Sequence, residues 1–315
     1  MTKKIIAVVG ATGAQGGGLA RAILADKNSE FAVRAIARDI HSPAARELAA
    51  LGAEVVAADI DDEASVARAL QGAHGAYFVT FFWAHFSPEK EKQQARNLAQ
   101  AAKTAGVQHV VWSTLEDTRK DVPLSDTRMP TLMEHYKVPH FDAKAEANRY
   151  FTDLGVPTTF LYTSFYWENF IYFGMHAKKG EDGRHHLVLP MADKRLSGIA
   201  AADIGKSAYG IFKRGAELIG QDVYIAGEHV TGAEMARQMG EALGLDVVYD
   251  AVTPAQYRAF GFPGADDLGN MFQYYAEFES SFAGRRDVAR TRALNPELQS
   301  FPQWLAANKD RIPVE

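Results

Sequence analysis

The sequence contains no cysteine. This absence excludes disulfide bonds, thiolate catalysis, cysteine-ligated zinc and iron–sulfur clusters, so any redox chemistry requires a bound cofactor. An excess of positive charge is also missing, because 34 Lys and Arg residues face 39 Asp and Glu residues and the net charge is −5. Nonspecific nucleic-acid binding needs a basic face, so we expect no direct contact with nucleic acid.

Long apolar runs are absent as well. No apolar stretch reaches the ~18 residues that a membrane-spanning helix needs, so we expect no membrane span. The first residues lead straight into a short apolar run without the pattern of a signal peptide, which favours a cytoplasmic protein. With 315 residues, of which 47% are hydrophobic, the chain has the composition of a globular protein with one large domain or two unequal ones.

What the sequence does contain is a glycine-rich segment directly after the apolar run at residues 5–9. The pattern predicts a buried strand, a tight turn and a helix over residues 19–24. This order directs backbone N–H groups and a helix dipole at one point, where a pyrophosphate can bind. The spacing is G-x-x-G-x-x-G rather than the commoner G-x-G-x-x-G, but a dinucleotide site is still predicted. Its candidate residues are Gly10, Thr12, Gly13, Ala14, Gln15 and Gly16.

Strands and helices then alternate along the chain. Apolar runs predict strands at residues 31–38, 53–59, 76–80, 107–113 and 158–162, with helices at 44–51, 64–70, 88–105 and 144–154. Residues 116–139 contain few apolar side chains, which indicates a long loop with a short helix. The alternation predicts an α/β fold: a doubly wound (Rossmann) parallel sheet with a second, smaller α/β C-terminal domain. We expect the dinucleotide-binding domain over residues 1–163 and the smaller domain over 164–315, with some strands returning to the first.

The ends of the predicted strands indicate which dinucleotide binds. The acidic residue that grips an unmodified ribose is expected at the end of the second strand, where this chain has Arg38. A guanidinium pairs with a 2′-phosphate, which favours NADP(H), although a shift of one residue would place Asp39 there instead. Asp59, after the third strand, faces the adenine edge or caps the next helix. Thr80 and Phe81 end the fourth strand beside the adenosine ribose and pyrophosphate.

Further segments carry a resemblance to a known family. Besides the glycine turn, they are residues 140–144 (HFDAK), 166–169 (YWEN) and 261–272 (GFPGADDLGNMF). With them the chain resembles the NmrA-like family, in its HSCARG type, of atypical short-chain dehydrogenase/reductases. The resemblance implies that Lys144 contacts the nicotinamide ribose, and that Tyr166, Glu168 and Asn169 lie in a loop beside the nicotinamide. It also implies an NADP(H)-sensing, redox-responsive regulator.

The chain departs from the family pattern near the start of the long helix. Family members carry a lysine there that reaches the cofactor, whereas the aligned position in this chain holds Gln93. Lys90 and Lys92 lie nearby and are left out of the predicted site.

The catalytic residues of the superfamily are only partly kept. Reduction in that superfamily uses a tyrosine as acid in Tyr-x-x-x-Lys, because residues at i and i+4 share a helix face. Here His140 stands at the tyrosine position, Lys144 is kept, and Ser113 follows the fifth strand. The chain is therefore either a regulator that turns nothing over or an NADPH-dependent reductase of a small hydrophobic carbonyl, quinone or imine. In the second case either Ser113, His140 or Tyr166 is the acid, or the reduction of a quinone, imine or activated alkene needs little acid catalysis. Alternatively, His140 simply fills the vacated space.

Two other features of the sequence give weaker indications of function. The adjacent His185 and His186 point to opposite sides of a strand and lack a third ligand at usable spacing, so no metal site is predicted. Aromatic residues at helical spacing, over residues 272–282, indicate packing or an interface. A protein partner, a small hydrophobic substrate and a homodimer all stay open at this point.

Overall fold

The computed structural model describes residues 2–314. Within that range the strands are β1 Lys4–Val9, β2 Phe31–Ala37, β3 Glu54–Ala57, β4 Gly75–Phe78, β5 His109–Thr114, β6 Thr158–Tyr162, β7 Phe165–Tyr166, β8 Lys178–Lys179, β9 His185–Val188, β10 Arg195–Ile199, β11 Asp222–Tyr224, β12 Glu228–Thr231 and β13 Val247–Asp250.

The helices alternate with these strands and then dominate the C-terminal third. They are α1 Ala14–Ala25, α2 Pro43–Ala50, α3 Glu63–Leu70, α4 Pro88–Ala105, α5 Pro139–Asp153, α6 Asn169–Tyr172, α7 Ala201–Arg214, α8 Gly232–Leu243, α9 Pro254–Ala259, α10 Ala265–Glu277, α11 Glu279–Arg285, α12 Val288–Leu294 and α13 Phe301–Asn308. Short 3-10 turns occupy Phe82–Ala84, Thr118–Lys120, Gly215–Leu218 and Lys309–Arg311.

Seven strands form one sheet in the order β11-β6-β5-β4-β1-β2-β3. Every neighbouring pair in it is parallel. The chain winds outward from β1 to β3 and then returns to add β4 on the other side of β1, so β1 and β4 flank the switch point. In such sheets ligands bind at the carboxyl ends of the strands beside this point. The predicted doubly wound α/β fold is confirmed.

The apolar strands are explained by burial on both faces. Along β1, Ile6 and Val8 belong to one core cluster, while Ala7 and Val9 belong to another. Helices α1 and α7 contribute to the first cluster, and α3, α4 and α5 contribute to the second. Because both faces are covered, β1 is a continuous apolar run from Ile5 onward rather than an alternating one.

The C-terminal part has its own core under two small sheets. Their orders are β12-β10-β7 and β13-β9-β8. The aromatic stripe predicted over residues 272–282 belongs to this core, since Phe272, Tyr274, Tyr275 and Phe282 are buried. The stripe therefore serves packing rather than forming an exposed surface. Two elements from beyond residue 164 also join the first sheet, because β11 pairs with β6 and α7 packs on α1.

Two predicted helix starts are wrong. The first helix begins at Ala14, well before residue 19, because its first turn is built from glycines that carry no apolar pattern. The helix predicted over 144–154 begins at Pro139, which occupies its first turn. Proline is favoured there because its missing N–H would have had no partner. Lys144 consequently lies in the second turn of α5, one turn after His140.

Candidate functional site

The glycine turn brings α1 against the end of β1. Gly10 has φ +69°, which favours glycine, and its carbonyl accepts a hydrogen bond from the Gly13 amide at 2.9 Å. A Cβ on Gly16 would lie 2.5 Å from the Gly10 oxygen. Glycine at both positions therefore lets the helix begin directly on the turn.

The first turn of α1 is suited to an anion. Its N-cap, Gly13, makes no side-chain capping bond, and no acidic residue lies in the first turn. Thr12, Gly13 and Ala14 are exposed. The first amides of a helix lack partners within the helix, and the helix dipole adds positive potential at this end. The residues present fit the pyrophosphate of a dinucleotide.

Gln15 connects this turn to three other elements. Its amide nitrogen donates to the Tyr166 hydroxyl at 2.6 Å. Its amide oxygen accepts from the Tyr77 hydroxyl at 2.6 Å and from the Ser113 hydroxyl at 2.9 Å. Burial raises the pKa of Tyr166 to about 12, so the phenol stays protonated at neutral pH. Two acid candidates, Ser113 and Tyr166, are thus brought together with the glycine turn.

Lys144 lies in a buried ionic cluster. Its ammonium lies 2.7 Å from the Thr80 hydroxyl, 3.2 Å from the Thr80 carbonyl and 2.7 Å from a Glu91 carboxylate oxygen. Burial alone would raise the pKa of Glu91, but the neighbouring Lys144, with His85 and Thr80, lowers it to about 2. An ammonium has three donors, and this cluster offers an acceptor to each.

Glu91 was not predicted from the sequence. It lies in a strongly polar stretch at the start of α4, where a glutamate normally faces water. One signal was available, because Glu91 lies four residues before Ala95 and seven before Leu98, both fully buried. That spacing puts its side chain on the apolar face of the helix.

His140 is held by an acidic residue from the far end of the chain. Its Nδ1 lies 2.6 Å from an Asp267 oxygen, and its backbone amide donates to the other oxygen at 3.2 Å. The imidazole packs against Trp83, with ring centroids 4.8 Å apart. Asp267 belongs to the 261–272 segment, so this segment fixes the residue at the family's tyrosine position.

The end of β2 presents Arg38 to solvent. Within the described residues, the Arg38 side chain has no hydrogen-bond or ion-pair partner. The Asp39 carboxylate instead accepts from the His41 amide at 2.8 Å. Arg38 is therefore the available group of the two. Asp59 lies two residues beyond the end of β3, is exposed, and accepts from the Asp61 amide at 3.0 Å.

The remaining predicted residues are either exposed to solvent or hydrogen-bonded to other elements of the protein. Phe81 is 56% exposed after β4, and Asn169 is partly exposed at the start of α6. Both carboxylate oxygens of Glu168 accept hydrogen bonds, one from the Ala201 amide at 2.8 Å and the other from the Trp304 indole at 3.0 Å. Its carboxylate thus joins α6, the start of α7 and α13.

Neither a candidate metal site nor a candidate membrane span occurs in residues 2–314. In that range no group of three or more His, Asp or Glu side chains could hold a metal ion. His186 is placed between Asp250 and Asp182, at 2.8 and 3.0 Å. No helix in the same range is both long and apolar enough to cross a membrane.

Comparison with known proteins extends this description. The model of the NmrA-like family matches residues 2–300. An NmrA-like family domain-containing oxidoreductase, FrzB, from Cladobotryum sp is 29% identical over 92% of this chain and 91% of its own. An NAD(P)H azoreductase from Xenophilus azovorans is 29% identical over 81% of this chain and 79% of its own.

A solved structure has the same fold. Crystal structures of NmrA, a negative transcriptional regulator, are 24% identical to this chain and cover 97% of it and 95% of their own chain. The TM-score is 0.77 for the complex with NADP and 0.78 for the complex with NAD.

Proposed function

Because the chain belongs to the NmrA-like family, we propose that it binds NADP(H) and regulates a protein partner according to the redox state of the bound dinucleotide. One observation carries this proposal: the hydrogen bond from Gln15, in the glycine turn, to Tyr166, in the smaller sheet. A pyrophosphate on the turn lies next to a residue that links both sheets. The binding of a dinucleotide at the turn can therefore affect the conformation of the C-terminal part through Tyr166.

The predicted residues have distinct tasks under this proposal. The turn from Gly10 to Gly16 holds the pyrophosphate, Arg38 pairs with the 2′-phosphate, and Phe81 covers the adenosine side. Tyr166 and Asn169 border the nicotinamide, whose chemistry is the donation or acceptance of a hydride. A ribose hydroxyl would have to displace Thr80 or Glu91 to accept from Lys144, since those residues already occupy its donors. Cofactor binding would then rearrange a buried cluster.

Hydrogen exchange with and without NADPH tests the proposal. In the wild-type protein we expect NADPH to slow exchange in the turn and also in β7 and α6. In Gln15→Ala the protection of β7 and α6 should be lost, while the turn is still protected at saturating NADPH. Gln108→Ala is the matched control, because Gln108 is an exposed glutamine at the amino end of β5, on the edge of the sheet opposite the glycine turn. Equal protection of β7 in wild type and Gln15→Ala would contradict the proposal.

A second candidate function is an NADPH-dependent reductase of a small hydrophobic carbonyl, quinone or imine. His140 favours it, because Asp267 holds Nδ1 whereas Nε2 makes no hydrogen bond within residues 2–314. A carboxylate that accepts from Nδ1–H orients the ring and stabilises the imidazolium form, in which Nε2–H is the proton donor. The relatives named oxidoreductase and azoreductase support the same candidate.

Turnover separates the two functions. NADPH oxidation is followed with a panel of quinones, aldehydes and imines, with Lys144→Ala as the control for cofactor-dependent activity. If the chain is a reductase using His140, His140→Ala should lose roughly a hundredfold or more in rate. Tight NADPH binding without turnover of any class would favour the regulator and direct the search to protein partners.

A further inference from the structure

A cavity of about 470 Å³ lies in the C-terminal part, away from the glycine turn. Three segments form it: residues 173–178 after α6, strand β9, and α9 with the residues that follow it. Most of its lining is aromatic or aliphatic, namely Phe173, Met175, Val188, Tyr257, Phe260 and Phe262. Its volume lies within the ~300–1,000 Å³ of small-molecule sites.

Three aromatic side chains remain exposed around this cavity. Phe173 is 50% exposed, Phe260 is 53% exposed and Phe262 is 38% exposed. Exposed phenylalanines in one place cost hydrophobic free energy, so such a cluster is typical of a binding site. Tyr257 forms the wall beside Phe260 and Phe262, with ring centroids 5.5 and 5.7 Å away. Flat walls of this kind suit a planar ring.

Apart from the Tyr257 hydroxyl, the polar side-chain groups of the lining are basic in type. They are His176, Lys178 and His186, and no described acidic residue lines the cavity. Lys178 has no ion-pair partner anywhere in residues 2–314. Hydrogen bonds from His186 to Asp182 and Asp250 raise its pKa, but those two carboxylates also offset its charge. Lys178 is therefore the uncompensated positive charge of the cavity.

One further donor is available. The Tyr257 hydroxyl makes no hydrogen bond in the part of the chain that the structure describes, although the side chain is only 5% exposed. Burial raises the pKa of Tyr257 to about 12, so the hydroxyl keeps its proton at neutral pH. A hydroxyl without a partner in the protein usually finds one in a ligand or in water.

We propose that this cavity binds a small planar aromatic carboxylate, with the ring between the phenylalanines and Tyr257 and the carboxylate on Lys178. The site shares none of the predicted dinucleotide-binding residues, so it goes beyond the function proposed above. It nevertheless adjoins that region, because Gly264, two residues after Phe262, packs against Trp83, which contacts His140.

Calorimetry with two matched probes tests whether the positive charge of Lys178 binds the carboxylate of the ligand. Naphthoate carries the carboxylate, and naphthylmethanol has the same ring system without a charge. We expect Lys178→Met to weaken naphthoate binding about tenfold and to leave naphthylmethanol unchanged. Lys179→Met is the control, because Lys179 is the next residue of β8 and does not line the cavity. Equal effects of the two substitutions would overturn the assignment.

A second variant and a competition experiment test the location. Phe260→Ala should weaken both probes, whereas Leu124→Ala, an exposed apolar residue elsewhere, should weaken neither. Both positions are exposed, so the variants should fold, and circular dichroism checks this. Naphthoate should also bind in the presence of saturating NADPH. The proposal fails if NADPH displaces naphthoate, or if naphthoate does not bind at millimolar concentration.

Discussion

At the residue scale, Arg38 is the side chain that we propose to distinguish NADPH from NADH. It is exposed at the end of β2 without a partner in the described chain, whereas Asp39 is occupied by the His41 amide. A charge-assisted bond to phosphate contributes roughly 1.5–3 kcal/mol. Arg38→Ala should therefore weaken NADPH binding about ten- to hundredfold and NADH binding much less.

Titration of both dinucleotides into the wild type and this variant measures the difference. Arg46→Ala serves as the control, because Arg46 is an exposed arginine in the neighbouring helix α2. Equal losses for NADPH and NADH would remove Arg38 from the site.

The charge of Glu91, which contacts Lys144, is expected to stabilise the fold. Its pKa of about 2 lies below the ordinary value of 4.5. A carboxylate with a lowered folded-state pKa stabilises the protein above pH 4.5, and the contribution is lost as pH falls towards 2. Glu91→Gln should lower the unfolding free energy by roughly 2–4 kcal/mol at pH 7, because Lys144 loses its buried counter-charge.

Urea unfolding at pH 7 and pH 3 measures both the loss of unfolding free energy and its dependence on pH. The difference between wild type and Glu91→Gln should shrink at pH 3. Glu89→Gln, two residues earlier and 79% exposed at its side chain, should change stability by less than about 0.5 kcal/mol. A loss that is the same at both pH values would show that the charge of Glu91 is not what stabilises the fold.

At the element scale, the sequence predicts most of the seven-stranded sheet, because burial on both faces leaves mainly apolar residues in the middle of strands β1, β4, β5 and β6. The sequence also predicts the glycine turn, because the spacing of its glycines directly after an apolar run is itself a local pattern. It misses Glu91 and Asp267, because each acquires its role from a partner more than fifty residues away, Lys144 and His140 respectively. The local spacing places Glu91 on the apolar face of α4, but no local pattern indicates the distant partner of either residue.

The contact between helices α1 and α7 is another feature that the local pattern does not predict. A Cβ on Gly205 would lie 2.1 Å from the Leu19 amide and 2.5 Å from the Gln15 carbonyl, and one on Gly18 would lie 2.5 Å from the Ala202 carbonyl. Glycines on both helices thus let the two backbones touch. Because α1 begins at the glycine turn, this contact also fixes the direction of its free amides.

Gly205→Ala should therefore reduce both stability and cofactor affinity. We expect a loss of about 3 kcal/mol or more in unfolding free energy, since the neighbouring atoms are backbone and cannot rotate away. NADPH affinity should fall with it as α1 is displaced. In Gly284→Ala the new methyl meets no atom within 4 Å, so this helix substitution should be neutral or stabilising by about 0.5–1 kcal/mol. Thermal unfolding and NADPH titration of both variants measure this, and a fully stable Gly205→Ala would refute the close contact.

At the scale of the whole molecule, Arg286 joins the C-terminal helices to the central sheet. The side chain is fully buried after α11. It forms two bonds to Glu116, beyond the end of β5, at 2.6 and 3.0 Å, and two to the Thr163 carbonyl, beyond β6, at 2.7 and 3.1 Å. The Phe282 ring lies 3.5 Å from its guanidinium. One residue thus connects both predicted domains at the edge of the sheet where the ligand crevice is expected.

Removing the Arg286 guanidinium should destabilise the central sheet and the C-terminal helices together. Arg286→Met leaves the Glu116 carboxylate buried without its counter-charge, which costs about 3–5 kcal/mol. The double variant with Glu116→Gln should recover part of that loss, because the uncompensated charge is gone. Arg290→Met is the control, since that side chain is 87% exposed. Hydrogen exchange should lose protection in both β5 and α11 for Arg286→Met. Loss confined to α11, with no recovery in the double variant, would mean that Arg286 supports only its own helix and that the central sheet holds its shape without it.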